Sequence, residues 1–375
     1  MGNFFLRREV FEFPHRSKNA GPDFRFAVLS LFFLTAVPVF SFGGDPGTAA
    51  ALFLREDPSA RGFAMGGVYL PLINSPGAAY LNPAALGHIT GHHVELSMWK
   101  GLDAVSQYSF AGAVISSRRS GVFNVNYLNY NTGTEDVYDL NDNLSKVTLQ
   151  KDYAVSAGWG KNLGEIFFVG GQLKRVNSVL AQSYSASALT FDAGVMYKSL
   201  DDKVTIGAGA RNMGGSLKYK NLSDPLPRSV TGEAGYRWPL YEASLTAGLS
   251  VQKSLGSNTI DSGIGLEYCS SGIPLVLRAG LREMDGEVKA AAGIGVALKG
   301  VTVDYGFSAA GQFAGTEQRF SLSVNFGPEN DSQREAVYRD RGFKRKPAAM
   351  AAAAPKKRTG EDDEGDRLLY IYLGR

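Results

Sequence analysis

LTFDAGVMY, residues 189–197, decides how this chain is read. Leu189, Phe191, Ala193, Val195 and Tyr197 fall on one side of a strict alternation, and Thr190, Asp192, Gly194 and Met196 on the other. Successive side chains of a strand point to opposite faces, so a period of two is the signature of a strand. The pattern recurs. In Val301–Phe307, Val301, Val303, Tyr305 and Phe307 stand against Thr302, Asp304 and Gly306. In Val288–Leu298, Val288, Ala290, Ala292, Ile294, Val296 and Leu298 stand against Lys289, Gly293 and Gly295. About fourteen such segments run from His92 to Phe326 with no helical pattern between them, each close to the roughly 9–11 residues that a tilted membrane-spanning strand needs.

Two architectures share this alternation. In a soluble sandwich the polar face meets water and the apolar face is core. In a transmembrane barrel the apolar face meets lipid and the polar face lines a lumen. The polar face carries Gly, Ser and Thr with Glu95, Asp192, Arg211, Glu233, Arg237, Arg278, Arg282, Lys289 and Asp304, which become lumen-facing charges if the barrel reading holds. Connections alternate in length. Lys161–Gly164 and Ser199–Asp202 are tight turns, whereas Asn129–Lys146 and Lys218–Pro227 are long and rich in Asn, Asp, Gly and Pro, as periplasmic turns and extracellular loops are. Trp99, Tyr130, Tyr153, Trp159, Tyr236, Trp238 and Tyr268 near segment ends would form aromatic girdles; ordinary core packing is the other reading of them. The expectation is an all-β fold, an antiparallel transmembrane barrel of about fourteen strands with residues 92–326 as the barrel.

Composition agrees. The chain has 45 glycines, 11% aromatic residues and a formal net charge of +3. So even a balance lacks the basic face of a nucleic-acid binder. Cys269 is the one cysteine, so neither an internal disulfide nor a Cys-rich metal site can form. Phe26–Phe42 is a short apolar run interrupted by Pro38. It follows Arg7, Arg8, Arg16, Lys18 and Arg25 and precedes small residues, the layout of a secretory signal peptide over residues 1–43; an uncleaved anchor is the rival. Its long basic lead leaves the true start open.

Between signal and strands lies PGAAYLNPAALG, residues 76–87, neutral and turn-making. Together with Ala60-Arg61-Gly62-Phe63-Ala64-Met65-Gly66-Gly67 and Ala78-Ala79-Tyr80-Leu81-Asn82-Pro83-Ala84-Ala85-Leu86, it resembles the entrance of the FadL-like outer-membrane barrels, most closely their PorV/PorQ branch. A second match is Ala210-Arg211-Asn212-Met213-Gly214-Gly215 followed by Leu226-Pro227-Arg228. Ala85 departs from the family pattern, which has Gly there. The resemblance implies that residues 44–91 fold inside the barrel as a hatch, with Arg61, Gly66, Gly67, Asn82, Pro83 and Ala84 as its motif. Phe63, Met65, Tyr69, Leu72 and Tyr80 would line a ligand. A periplasmic turn that caps the barrel is the alternative.

The resemblance further implies a site in the outer membrane of a diderm bacterium, with its lipids as surroundings. Two functions are open: passage or binding of a hydrophobic small molecule, or a PorV-like shuttle or scaffold that binds an exported protein or secretion component. A charged inward face speaks weakly against fatty-acid passage through an open pore. The tail, residues 327–375, mixes a charged run, an Ala-rich stretch and Leu368–Leu373; it reads as a disordered periplasmic extension or as a docking peptide. No catalytic or nucleotide-binding motif is present and no cofactor is expected. His88, His92 and His93 cluster in sequence without a clear further ligand, and Asp139–Asn143 has calcium-like spacing but Gln150 where the bidentate Glu belongs, so no metal is expected.

Overall fold

The structure, a computed structural model, describes residues 49–70, 75–101, 103, 105–117, 120–138, 142–257, 259–310 and 315–326. The expected signal peptide, the tail after Phe326, Leu72 and Asp139–Asn141 lie outside them. In chain order the strands are β1 (His92–Lys100), β2 (Gln107–Ser117), β3 (Gly121–Asn131), β4 (Thr134–Tyr138), β5 (Leu144–Thr148), β6 (Gln150–Leu163), β7 (Phe167–Leu180), β8 (Tyr184–Lys198) and β9 (Val204–Gly214). They continue with β10 (Ser216–Tyr219), β11 (Leu222–Pro225), β12 (Ser229–Pro239), β13 (Ala243–Ser254), β14 (Ile260–Ser270), β15 (Leu275–Met284), β16 (Glu287–Leu298), β17 (Val301–Ala310) and β18 (Thr316–Phe326).

Fourteen of these close into one antiparallel barrel in the order β1-β18-β17-β16-β15-β14-β13-β12-β9-β8-β7-β6-β3-β2. Each strand pairs with its neighbours along the chain, and closure joins β1 to β18, with His92 opposite Phe326 and Trp99 opposite Arg319. The remaining four strands form two hairpins, β4–β5 and β10–β11, inside the connections that the sequence marks as long. Closure removes every sheet edge, so all fourteen strands satisfy their backbone groups within the wall, the condition for spanning lipid.

The burial pattern is inverted relative to a soluble domain. Leu189, Phe191 and Val195 point outward and are exposed, with Leu189 at 65%, while Thr190 and Asp192 between them are buried at 2% and 1%. Val288, Ile294, Val296, Leu298, Val301 and Val303 are likewise exposed, and Asp304 is buried. This is the barrel arrangement and excludes the sandwich. Among the described residues no helix is long and apolar enough to cross a membrane, which says nothing of strands.

The girdle expectation needs correction at two positions. Trp99 and Tyr130 face inward: Trp99 is buried at 4% and stacks on Tyr108 at 5.1 Å, and Tyr108 meets Tyr130 at 4.7 Å. Trp159 and Tyr268 are exposed. The alternation assigns a face but not a depth, and segment-end aromatics fit either a lipid interface or a lumen mouth.

Residues 49–70 and 75–91 form short turns: a 3-10 turn Leu52–Arg55, a helix Ala60–Ala64, a helix Pro76–Leu81 and a 3-10 turn Pro83–His88. The sequence supplies the caps. Ser59 accepts from the Arg61 amide, Ser75 from the Ala78 amide and Asn82 from the Ala84 amide. Pro76 and Pro83 occupy the first turns, where the missing N–H costs nothing.

Candidate functional site in the lumen

Residues 49–70 and 75–91 pack against the inner wall, and glycines make the fit. A Cβ on Gly170 would stand 2.1 Å from Pro83 O, one on Gly194 1.9 Å from Asn82 Oδ1, and one on Gly263 2.0 Å from Gly66 O. A Cβ on Gly265 would stand 2.3 Å from Met65 O, and one on Gly280 2.3 Å from Gly66 N. Gly66 and Gly67 have φ of 67° and 81°, and a Cβ on Gly66 would meet Leu281 O at 2.5 Å. Here glycine is needed both for the left-handed backbone and for the approach of chain to wall.

Polar bonds fix the same segment. Arg61 donates to Glu267 through Nε at 2.8 Å and Nη2 at 2.7 Å, a bidentate pair. Arg278 shares Glu267 at 2.8 Å and reaches Asp304 at 2.7 Å. Arg55 pairs with Asp261 and Asp285, Asp57 with Arg282 at 2.7 Å, and Glu56 with Arg319, which also pairs with Glu317. Arg319 lies over the Phe63 ring at 4.2 Å and over Trp99 at 4.4 Å. Glu233 accepts from the Tyr69 and Leu70 amides, both at 2.8 Å, and Glu95 from the Gly77 amide at 2.8 Å. Asn82 donates to Ala208 O at 3.2 Å. Buried charges are tolerated only when paired in this way, and removing one partner of such a pair costs about 3–5 kcal/mol.

A further polar knot lies at the one irregularity of the β8–β9 ladder, where Phe191 pairs with Met213 but Ala193 with Ala210. Asn212 sits there at φ 55° and its amide donates to Asp192 at 2.7 Å. Lys174, fully buried, bonds Asp192 at 2.7 Å and Asn212 at 2.9 Å beneath the Tyr80 ring. Arg211 donates to Leu54 O at 2.8 Å.

The lumen is therefore divided. On β12–β18 its wall is charged, and the charges hold residues 55–61. Toward the long connections on β1–β8 it is apolar: Trp99, Phe110, Leu128, Ala154, Val176 and Ala188 face one cluster. Into that cluster the inner segment puts Phe53, Leu54, Tyr80 and Leu81, and the β10–β11 hairpin adds Leu217, with Leu226 following. Phe53 stacks on Tyr130 at 6.3 Å and 12°, and Tyr80 meets Phe110 edge-on at 5.6 Å. A polar cavity of about 30 Å³, room for little more than water, lies beside Tyr69, Asn82, Arg211, Glu233 and Arg282.

The residues expected at the site are scattered through this interior. Of the ligand-lining set, Tyr69 reaches the cavity and Tyr80 the apolar cluster. Met65 packs with Val68 in a separate pair, and Phe63 lies under Arg319. Glu95, Asp192, Arg211, Glu233, Arg278 and Asp304 are buried on the inner face, and Arg282 and Lys289 are half-buried; Arg237 follows the inward alternation but is exposed at the end of β12. The histidines are not brought to a common point. His88 Nε2 is 2.9 Å from Lys198 Nζ, His93 Nε2 is 2.8 Å from Thr90 O, and His92 is exposed. Burial first, and then Lys198, hold the His88 ring down to about 4. Sequence reasoning passed over Phe53, Leu54, Arg55, Glu56, Asp57 and Lys174. The signal for three of them was visible, a charged Arg55-Glu56-Asp57 run in an otherwise neutral stretch.

This geometry, a closed fourteen-stranded barrel with an N-terminal segment against its inner wall, defines a class of protein. Solved structures share this fold. The chain aligns with the toluene transporter TbuX of Ralstonia pickettii at a TM-score of 0.51 and 15% identity, over 72% of this chain and 98% of that one. It aligns with the toluene transporter TodX of Pseudomonas putida at 0.50 and 12%, over 72% and 98%. A FadL homologue of Pseudomonas aeruginosa aligns at 0.47 and 12%, over 72% and 98%. No family model and no curated protein sequence matches. The chain shares the barrel fold of these toluene transporters; the comparisons reach the fold and not the PorV/PorQ branch.

Proposed function

We propose that this protein sits in the outer membrane and passes an apolar small molecule through its barrel, with residues 49–91 as a hatch. One observation carries the reading. The apolar part of the lumen is filled by Phe53 and Leu54, with Tyr80 and Leu81, side chains of an inner segment tethered through Arg55, Glu56 and Asp57 to the opposite, charged wall. A molecule of similar hydrophobicity takes their place when the segment shifts, because the same wall area leaves water in either state. The charged half, which argued against a greasy lumen at the level of sequence, serves to hold the hatch. The toluene transporters of the same fold make a small hydrocarbon the natural first ligand to test. No observation favours the protein-secretion alternative.

The test is uptake of toluene into proteoliposomes and its binding to the solubilised protein, in wild type and in Phe53→Ala. Truncating Phe53 opens space against Tyr130 and removes the competitor, so binding should tighten. Absence of binding in both proteins would overturn the reading.

A further inference from the structure

Arg175 is a charge on the wrong side of the wall. Lys174 turns inward to Asp192, so its neighbour Arg175 turns outward, and it is exposed. The other outward cations of the barrel strands, Lys151 and Lys161 on β6 among them, stand near strand ends, whereas β7 runs on from Arg175 to Leu180. Opposite Arg175 in the two ladders are Val155 on β6 and Leu189 on β8, and Leu173 precedes it on its own face of β7; all three are exposed on the outer wall. The acidic residues of β3, β6, β7 and β8 are Asp152 and Asp192, both buried on the inner face. Neither Arg175 nor Lys151 forms a hydrogen bond or an ion pair with any described residue. This part of the outer wall supplies no counter-charge of its own.

The ladders give the depth. The β4–β5 and β10–β11 hairpins mark one end of the barrel, and long connections of this kind face the cell exterior. Phe167 and Tyr197, with ring centroids 5.5 Å apart, mark the other rim. From Phe167 to Arg175 a strand rising about 3.3 Å per residue, tilted by roughly 40°, climbs about 20 Å. The apolar band of such a barrel is about 25 Å tall. Arg175 therefore roots just inside the outer edge of the band, close enough for its long side chain to reach the headgroups. The next outward step confirms an interface level: Tyr153 pairs across β6–β7 with Asn177, and its ring lies 6.1 Å from that of Tyr127. Lys151 follows one outward step beyond Tyr153.

We infer that the outer wall over β6–β8 binds a lipid of the outer leaflet through a phosphate on its headgroup. Arg175 takes the phosphate, Lys151 adds a second cation nearer the rim, and Leu173 and Leu189 lie along the acyl chains. A guanidinium matches phosphate with two parallel N–H···O bonds, and the low dielectric beneath the headgroups strengthens the pairing. The inference rests on the outer-membrane placement proposed above and is independent of what passes through the lumen.

The experiment is native mass spectrometry of the full-length solubilised protein titrated with diphosphoryl lipid A and with the same lipid stripped of its phosphates. Wild type should retain the phosphorylated lipid and release the stripped one. A cation near a membrane surface contributes about fivefold in binding, so Arg175→Leu should weaken retention at least about fivefold and Lys151→Gln a few-fold. Lys161→Gln, exposed on the same outer face toward the opposite rim, should leave it unchanged. Arg175→Leu puts an apolar side chain against lipid, so an unchanged melting temperature should accompany the loss. Equal retention by wild type and Arg175→Leu, equal loss in Lys161→Gln, or equal retention of the stripped lipid would overturn the inference. Displacement of the lipid by millimolar inorganic phosphate would assign the site to the free ion and overturn it as well. Toluene binding measured on the same preparations tests the transport reading separately, so either can fail without the other.

Discussion

The contact of the inner segment with Gly263 offers the sharpest quantitative test. Gly263→Ala places a methyl 2.0 Å from Gly66 O, so that carbonyl must retreat by at least about 1 Å to reach even a tight 3.0 Å contact. It has no room to slide. Gly66 is already flanked by Leu281 O and Ile264 O, and Gly265 and Gly280 touch Met65 and Gly66 from either side. The opposing atoms are backbone, which cannot swing aside as a side chain would. Overpacking of this kind costs about 1–3 kcal/mol. At 1.4 kcal/mol per factor of ten, docking of the segment around Gly66 should weaken roughly 5- to 150-fold. The assay is native-state hydrogen exchange of the Gly66 and Gly67 amides, which bond to Phe63 O and Gly62 O in the docked segment. Gly232→Ala, where nothing lies within 4 Å of the added methyl, is the control. Protection should fall at Gly66 and Gly67 in Gly263→Ala alone, while the β13–β14 ladder keeps its own. Equal protection in the two variants would refute the claim that wall glycines hold the segment in place.

Two further outcomes follow from the interior. His88 is neutral down to about pH 4 in the folded protein, whereas in the unfolded chain it protonates near 6.5, so the unfolded state binds the extra proton between these values. Its contribution to stability is full above pH 6.5 and is lost as pH falls toward 4; His88→Gln should flatten the fall in melting temperature over that window. Brominated lipids should quench Trp159, exposed on the outer wall, and spare Trp99, buried in the lumen beside Arg319; single-Trp variants read by fluorescence separate the two. Quenching of Trp99 would contradict its inward placement.

What the sequence by itself determined is the alternation. Period two at Leu189–Tyr197 and its repeats sets strands, their number and which residues share a face, because these follow from local backbone geometry. It also marked the positions where small residues must stand, since Gly66, Gly67 and the Asn82-Pro83 turn are local conformational demands. Period two cannot say which face meets lipid. That sign was decided by closure, when β1 met β18 and turned Asp192, Glu267 and Asp304 inward. Nor could it show that the wall charges that pair with residues 55–61 gather on and beside β14–β18 while Trp99, Phe110, Leu128 and Val176 make an apolar wall on the other side. Those residues lie on separate strands, and only cross-strand register brings them together. For the same reason Phe53 looked unremarkable in the sequence: it belongs to a short turn, and its neighbour Tyr130 is fixed by the ladder between β3 and β6.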